Sequence, residues 1–462
     1  MYFKTDSILK EKFNKAGIKS NEKIAILGNN SEDYIRLLIQ ILNLDAIIVP
    51  VSPLLPVSKV HNALNNIGCS KIIVDEQVSY EDDPEINSIP LGYFLEELKS
   101  MDLRKLISIF NIYKISETPD KNASIIFTSG STNLPKAVLH TIGNHWFNAR
   151  GSNDNIEFNN GDCWLISLPL NHVSGFSTIF KALAGKADIC VRPGNLTLTE
   201  TMGKKRITHL SLIPSQLSEL ISNPDMVKIL KKLKAILIGG ASAPLKLIEE
   251  AASFKLPVYN SYGSTEMASQ ITCTIKNDTL AHLKTSGRIL KYREIKISEN
   301  GEISVKGRTL FKGYIEKDNS GNEIIMQPLD EDGWFNTGDC GFLDEEGYLH
   351  VSGRKDLMFV YKGENIFPEE IESVLKEIKE VDDALVVLVT QSGEEQTPVA
   401  FLKSKNYLKL DFESIKKSLS ARIEPFKIPK IFLKWPKQAE ERSLKPDRES
   451  FKRIALREIN SR

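Results

Sequence analysis

Short, wholly apolar runs alternate along the chain with longer stretches in which apolar residues recur every three or four positions. "KIAILGNN" reads as a strand and turn, "SEDYIRLLIQILNL" as a helix opened by a Ser31 cap, and "DAIIVPVSP" as the next strand. "SKIIVD", "ASIIFTS", "CWLISLP", "HLSLIP", "KAILIGG" and "PVYNSYG" extend the series, and "APLKLIEEAASF" supplies a helix between the last two. Repeated β-α-β alternation predicts an α/β fold of parallel sheets covered by helices. Ligands in such folds bind where strands give way to loops. "TSGSTNLPK", "LIGGASAP" and "YNSYGSTE" all lie at the ends of apolar runs, so three loops are expected to converge on one crevice.

From about Arg288 the period shortens. "REIKISENGEISVKG" and "GWFNTGDCGFLDEEGYLHVSGRKD" alternate apolar and polar residues between Gly-containing turns, as antiparallel hairpins do. Beyond them, "PEEIESVLKEI" and "DFESIKKSLSARI" read as helices and "DALVVLVT" and "VAFLKS" as strands. The expected organisation is a large N-terminal domain, residues 1–354, of helix-covered sheets plus a β-hairpin subdomain. A small α+β C-terminal domain, residues 355–462, follows as a mobile lid. A length of 462 residues agrees with more than one domain.

Composition narrows the function classes. With 41% hydrophobic and 26% charged residues the chain is ordinary for a globular protein. Sixty Lys+Arg against 60 Asp+Glu cancel, which removes the broad phosphate attraction of nucleic-acid binders. No nucleic-acid partner is expected. Cys69, Cys163, Cys190, Cys273 and Cys340 are scattered without a C-x-x-C pair, as free thiols in a reducing compartment are. The first residues lack a signal-like apolar segment, and no run approaches the about 20 residues of a membrane span. The expectation is a cytoplasmic protein without a membrane span; monomer and homodimer stay equally open.

"TSGSTNLPKAV" concentrates unusual chemistry. Gly130 allows close backbone approach, and successive amides in a turn form an anion-binding nest. Thr128, Ser129, Ser131 and Thr132 add hydroxyl donors, and Lys136 adds charge. The ATPase phosphate loop, G-x-x-x-x-G-K-[ST], is absent from the chain. Taken alone, the stretch serves equally as an anion cradle or as a Ser/Thr-rich surface turn. Its neighbours distinguish the two. The stretch resembles the TSG-[ST]-TG-x-PK-G signature of the acyl-adenylate-forming (AMP-binding) superfamily, which includes acyl-CoA ligases, peptide-synthetase adenylation domains and luciferase. "YGSTE", Tyr262–Glu266, is similar to its Y-G-x-T-E element, "GWFNTGD" to G-W-x-x-T-G-D, and "GRKDLMFVYKGENIFPEEIE" to its hinge motif. The four occur in family order and span nearly the whole chain. Asn133 and Ala137 stand where the family has Gly; Asn tolerates left-handed angles and Ala is small, so both are accommodating.

The resemblance implies an ATP-dependent activation of a carboxylate, in which two anions meet and pyrophosphate leaves. Thr128 to Thr132 with Lys136 would embrace the β,γ-phosphates, Thr265 the α-phosphate, and Glu266 would hold Mg²⁺, a cation that prefers carboxylate oxygen. Adenine would lie against Gly239, Gly240 and Ala241 and the Asn260, Ser261 and Tyr262 backbone. Asp339 would accept from the ribose hydroxyls with Arg354 nearby. The catalytic ammonium at the bridging oxygen falls to Lys445 of "RSLKPDR", where Leu444 replaces the family's Gly and Pro446 follows. Lys427, Lys430, Lys434 and Lys437 crowd the same region, so a plain surface-charge reading of Lys445 stays open. For thioester formation the lid would turn about Asp356, withdraw Lys445 and present Lys362–Gly363 to the pantetheine of coenzyme A.

"HTIGNHWFNARGS" and "PLNHVSGFSTIFKALAG" look most like the o-succinylbenzoate:CoA ligases of menaquinone biosynthesis. In that subgroup's terms His172 would gate the acyl and thiol channels. Ser174, Ser261 and Gly263 would line the acyl pocket, and Arg288 would meet a carboxylate. Each of these has a purely structural alternative. Two further readings stay open: a fatty- or aryl-acid:CoA ligase, and a catalytically silent relative that binds nucleotide or acyl groups.

Overall fold

The computed structural model describes residues 7–109, 118–128, 135–192, 196–204, 206–318, 320–361, 364–389, 397–405, 409–436 and 448–460. Strands β1 (Lys23–Leu27), β2 (Ile47–Val51), β3 (Lys71–Val74) and β4 (Asn87–Pro90) run parallel. Strand β5 (Asn122–Phe127) joins β2 in parallel, and β6 (Ala137–Thr141) returns beside it antiparallel. In a second sheet β7 (Cys163–Ile166), β8 (Asp188–Val191), β9 (His209–Leu212), β10 (Ala235–Ile238) and the start of β11 (Val258–Ser264) are parallel. Strands β12 (Ser269–Cys273) and β13 (Arg288–Ile289) extend it antiparallel, giving the order β13-β12-β11-β10-β9-β7-β8.

Next come β14 (Arg293–Ile297) and β15 (Glu302–Gly307), then β16 (Gly313–Lys317) and β17 (Glu323–Met326). The last two return to the first sheet and complete the order β17-β16-β6-β5-β2-β1-β3-β4. This long-range return places Tyr314 opposite Val138. Strands β18 (Phe335–Leu343) and β19 (Leu349–Arg354) pair antiparallel and join β14 and β15 in a smaller sheet.

The predicted alternation follows from burial on both sheet faces. Strands β2, β9 and β10 are buried at every residue, as continuous Ile, Val and Leu runs must be beneath helices. Ser31 caps the Glu32–Asn43 helix by accepting from Tyr34 N, and that helix lays Ile35, Leu38, Ile39 and Leu42 on the core. The helix read from "APLKLIEEAASF" runs Leu245–Ser253.

The chain divides into two compact units, residues 1–241, 251–296 and 304–336 in one and 242–250, 297–303 and 337–462 in the other. Each has cores of its own. The first packs residues such as Trp164, Phe176 and Phe180, and the second packs Ile371, Leu375, Ala400 and Leu419. In the second unit β22 (Val381–Val389), β23 (Thr397–Ser404) and β24 (Ile431–Lys434) form a sheet, after the hairpin β20 (Phe359–Tyr361) and β21 (Glu364–Ile366). Helices Pro368–Lys376 and Phe412–Ser420 match the sequence reading of an α+β segment. Among the described residues no helix is long and apolar enough to cross a membrane.

Candidate active site

The hydroxyl-rich stretch joins β5 to β6, which pair antiparallel. Phe127 pairs with Ala137, and Thr128 N donates to Lys136 O at 3.0 Å, so both flanks of the loop are fixed. Ser129, Gly130, Ser131 and Thr132 lie outside the described residues, as do Gly363 and Lys445. Exposed Lys136 holds its Nζ 4.8 Å from the centre of the Tyr314 ring. The Tyr314 hydroxyl donates to Glu266 Oε1 at 2.7 Å. One buried tyrosine thus links the loop's cation to the carboxylate expected to hold a metal. Tyr314 belongs to none of the four motifs; its signal is the pairing of β16 with β6, which no local pattern carries.

Strand β11 explains how Glu266 reaches that point. Its first residues pair with β10, and from Ser261 it pairs antiparallel with β12, through an irregularity at Tyr262/Gly263. "YNSYGS" continues the strand read from "PVYNSYG", because a second partner extends the ladder beyond Asn260. A Cβ on Gly263 would lie 2.1 Å from Ser269 O, so glycine is required for the crossing. The turn Thr265–Ala268 follows, with Ala268 at φ 55° and Ser269 at φ 125°, angles that L-residues adopt only under constraint. Three consecutive carbonyls of the turn are anchored from outside it. Thr265 O accepts from His140 Nε2 at 2.7 Å, Glu266 O from Phe311 N at 2.7 Å, and Met267 O from Asn148 Nδ2 at 2.9 Å. With the backbone pinned, Thr265 and Glu266 stay half-buried at the surface. Burial pushes His140 down to about 4, so its ring is neutral and donates through Nε2.

The second strand end adjoins the same turn. Gly240 takes φ +81°, and a Cβ on Gly239 would sit 3.0 Å from Ser261 Oγ. Ser261 Oγ donates to Ile238 O at 3.0 Å, tying β11 to the glycine corner. Asn260 spends its side chain on Thr285 O, 2.7 Å away, which leaves glycines, exposed Ala241 and backbone as a flat surface. The described parts of all three expected loops therefore meet around residues 259–266.

The Val173–Gly185 helix borders that turn. Exposed His172 is its N-cap, and a Cβ on Gly175 would lie 2.2 Å from Pro169 O, so the helix start is pressed against the preceding turn. Ser174, Ser177 and Lys181 fall on one helical face. Ser177 Oγ lies 3.3 Å from Ser269 Oγ, beside the anchored turn. Lys181 was not singled out by sequence, where it reads as one more lysine. It is 1% exposed, with Nζ 4.6 Å from the Trp164 ring centre. Among the described residues its ammonium has no hydrogen bond and no acidic partner, and burial pulls it down to about 7. Arg288 is exposed at the sheet edge on β13, opposite Cys273. The five cysteines are free, four buried and Cys163 half-buried.

In the second unit Asp339 and Arg354 are register partners across β18 and β19, with Arg354 Nη1 3.4 Å from Asp339 Oδ1 and 3.0 Å from Thr337 O. Arg354 Nε donates to Asp356 Oδ1 at 3.0 Å, so the expected hinge residue is tethered to the expected ribose arginine.

Among the described residues no three His, Cys, Asp or Glu converge. A divalent ion at Glu266 would complete its shell with phosphate oxygens and water, the habit of Mg²⁺ rather than Zn²⁺. A loop cation, a positioned carboxylate and a glycine-lined strand end at one turn of an α/β sheet define a nucleotide-handling enzyme. Residues 12–315 match the AMP-binding enzyme model, and the chain belongs to that family. It is 30% identical over 425 residues to a 2-succinylbenzoate–CoA ligase of Geobacillus sp. (strain WCH70), covering 90% of this chain and 84% of that protein. It superposes with TM-score 0.79 at 26% identity on the o-succinylbenzoate CoA synthetase (MenE) of Bacillus subtilis in complex with the acyl-adenylate intermediate OSB-AMP, over 96% of this chain and 90% of that one. The same synthetase in complex with ATP and magnesium ion gives TM-score 0.77 at 26% identity, over 92% and 88% of the two chains.

Proposed function

We propose that this protein is an AMP-forming acid–CoA ligase acting on o-succinylbenzoate. The carboxylate oxygen of the acid attacks the α-phosphorus of ATP, the bond to the β-phosphate oxygen breaks, and pyrophosphate leaves with the electron pair. The sulfur of coenzyme A then attacks the acyl carbon and AMP departs. Lys136 and the loop hydroxyls Ser129, Ser131 and Thr132 screen the β,γ-phosphates in this reading, and Thr265 bonds the α-phosphate. Mg²⁺ would supply charge neutralisation there from Glu266. Asp339 and Arg354 serve the ribose, and Lys445 supplies the ammonium for adenylation. Residues 355–462 act as the lid, turning at Asp356 to bring the Gly363 loop to the thiol, with His172 as the gate.

The observation that carries the reading is the Lys136–Tyr314–Glu266 chain, which assembles opposite charges where a triphosphate and its metal need them. The second carboxylate of the acid has a counterpart too. Lys181 is a buried ammonium lacking an acidic partner, on the helix face shared with Ser174, and an anionic ligand would relieve its desolvation. The exposed Arg288 fits that task less well. Pyrophosphate release measured over a panel of acids tests the proposal. Release with o-succinylbenzoate alone supports it, release with fatty or simple aryl acids transfers the protein to a broader ligase, and no release with any acid overturns the ligase reading.

A further inference from the structure

The anchored turn carries an inference that rests on the proposed reading and names a residue outside its motifs. Thr265 O already closes the turn by accepting from Ala268 N at 3.0 Å, and the His140 bond is its second. Ala268 and Ser269 hold left-handed angles, so the turn stores strain that its surroundings must offset. His140 stands on β6, the strand that begins just after Lys136, directly opposite Ser124. Its ring lies 4.7 Å from His145, which in turn stacks on Phe180 at 4.6 Å and reaches Ser124 Oγ at 2.7 Å. The imidazole is fully buried and cannot rotate away without breaking this stack. Among the described residues His140 Nδ1 has no hydrogen-bond partner, and the ring's one polar bond is the one to Thr265. A group buried with half its hydrogen-bonding capacity unmet carries a desolvation cost, which the bond made by its other nitrogen offsets.

We infer that His140 is a positioning residue: through Nε2–H···O=C to Thr265 it fixes the Thr265–Glu266 pair relative to the hairpin that bears the phosphate loop. It couples two parts of the site that lie on different sheets. It touches no substrate, and its action falls most heavily on the half-reaction that needs the triphosphate and its metal, because only the α-phosphate contact of Thr265 persists in the acyl-adenylate.

The test uses the full-length protein, H140F, which keeps the ring's bulk without a donor, and H140Q, whose amide can donate in the same direction. H140M is made in parallel, so that a folded donor-free variant is available if H140F melts below the assay temperature. Single-turnover acyl-adenylate formation should fall about tenfold in H140F or H140M, the loss of one well-made hydrogen bond to a strained carbonyl, and recover to within about threefold in H140Q. Thioester formation from supplied acyl-adenylate should fall clearly less than adenylation in the donor-free variants, because Glu266 has no metal–triphosphate to hold in that step and only the α-phosphate contact of Thr265 remains. Equal losses in both half-reactions, unaltered adenylation in the donor-free variants, or no recovery in H140Q would each overturn the assignment. Calorimetric affinity for Mg·ATP separates this failure from that of the ligase reading. If the wild type releases no pyrophosphate with any acid, an about tenfold weaker Mg·ATP affinity in H140F still supports His140, and an unchanged one overturns it.

Discussion

Replacing Tyr314 with Phe removes one hydroxyl and leaves the ring under Lys136 in place. The lost bond runs to a carboxylate, a class worth about 1.5–3 kcal/mol. Glu266 is half-buried, so water can replace part of what the tyrosine gave, and the lower end, about 1.5 kcal/mol, applies. That is about tenfold in an equilibrium constant. If the hydroxyl orients Glu266 for a metal, the Mg²⁺ concentration giving half-maximal pyrophosphate release should rise about tenfold in Y314F at saturating ATP. Thioester formation from supplied acyl-adenylate should not change, because that step no longer carries the β,γ-phosphates. Tyr314→Leu removes the ring as well and should weaken ATP binding further, by the about 0.5–1 kcal/mol of an exposed cation–π contact. A double-mutant cycle with Glu266→Gln makes the test strict. Superimposable Mg²⁺ curves for Y314F and wild type, or effects additive to within about 0.5 kcal/mol, would refute the tyrosine link.

Lys181, drawn down to about 7 by burial, is mostly neutral at pH 8, and a bound carboxylate would raise it again. Acid binding at pH 8 should therefore take up close to one proton, seen by calorimetry in buffers of different ionisation heat, and Lys181→Met should abolish the uptake and weaken the acid while sparing ATP. In the free enzyme the unfolded chain binds the extra proton between about 7 and the ordinary lysine value of 10.5, so buried Lys181 carries a stability penalty that is full below about 7 and is relieved as pH rises across that window. Lys181→Met should flatten that rise and increase the melting temperature most near pH 7. Gly263→Ala places a Cβ 2.1 Å from Ser269 O and should lower the melting temperature by several degrees and adenylation with it. Lys445→Ala should abolish acyl-adenylate formation and spare thioester formation from supplied acyl-adenylate; equal loss in both steps would show the residue is misassigned.

What the sequence made legible is what one stretch of chain determines for itself. Apolar runs buried on both faces announced the parallel strands, Ser31 announced its helix, and glycines that tolerate no side chain, such as Gly263, announced the motifs. Tyr314, His140 and Lys181 are different. Each looks ordinary in its own window, a strand aromatic, a histidine among apolar residues, a lysine on a helix. Their meaning comes from partners far along the chain: Glu266 for Tyr314, Thr265 for His140, and for Lys181 the lack of any acid among the described residues.

This division has a physical cause. A motif loop can supply amides and hydroxyls locally, but reacting anions must be met by charges arriving from several directions, and those directions belong to the sheets. The β5–β6 hairpin delivers Lys136, β11 delivers Thr265 and Glu266, and β16, returning to the first sheet after β15, delivers the tyrosine between them. Each contact made by Tyr314 or His140 therefore reports on sheet order rather than on local propensity. A relative with intact motifs but a displaced β16 would keep the loop and lose the link from Lys136 to Glu266.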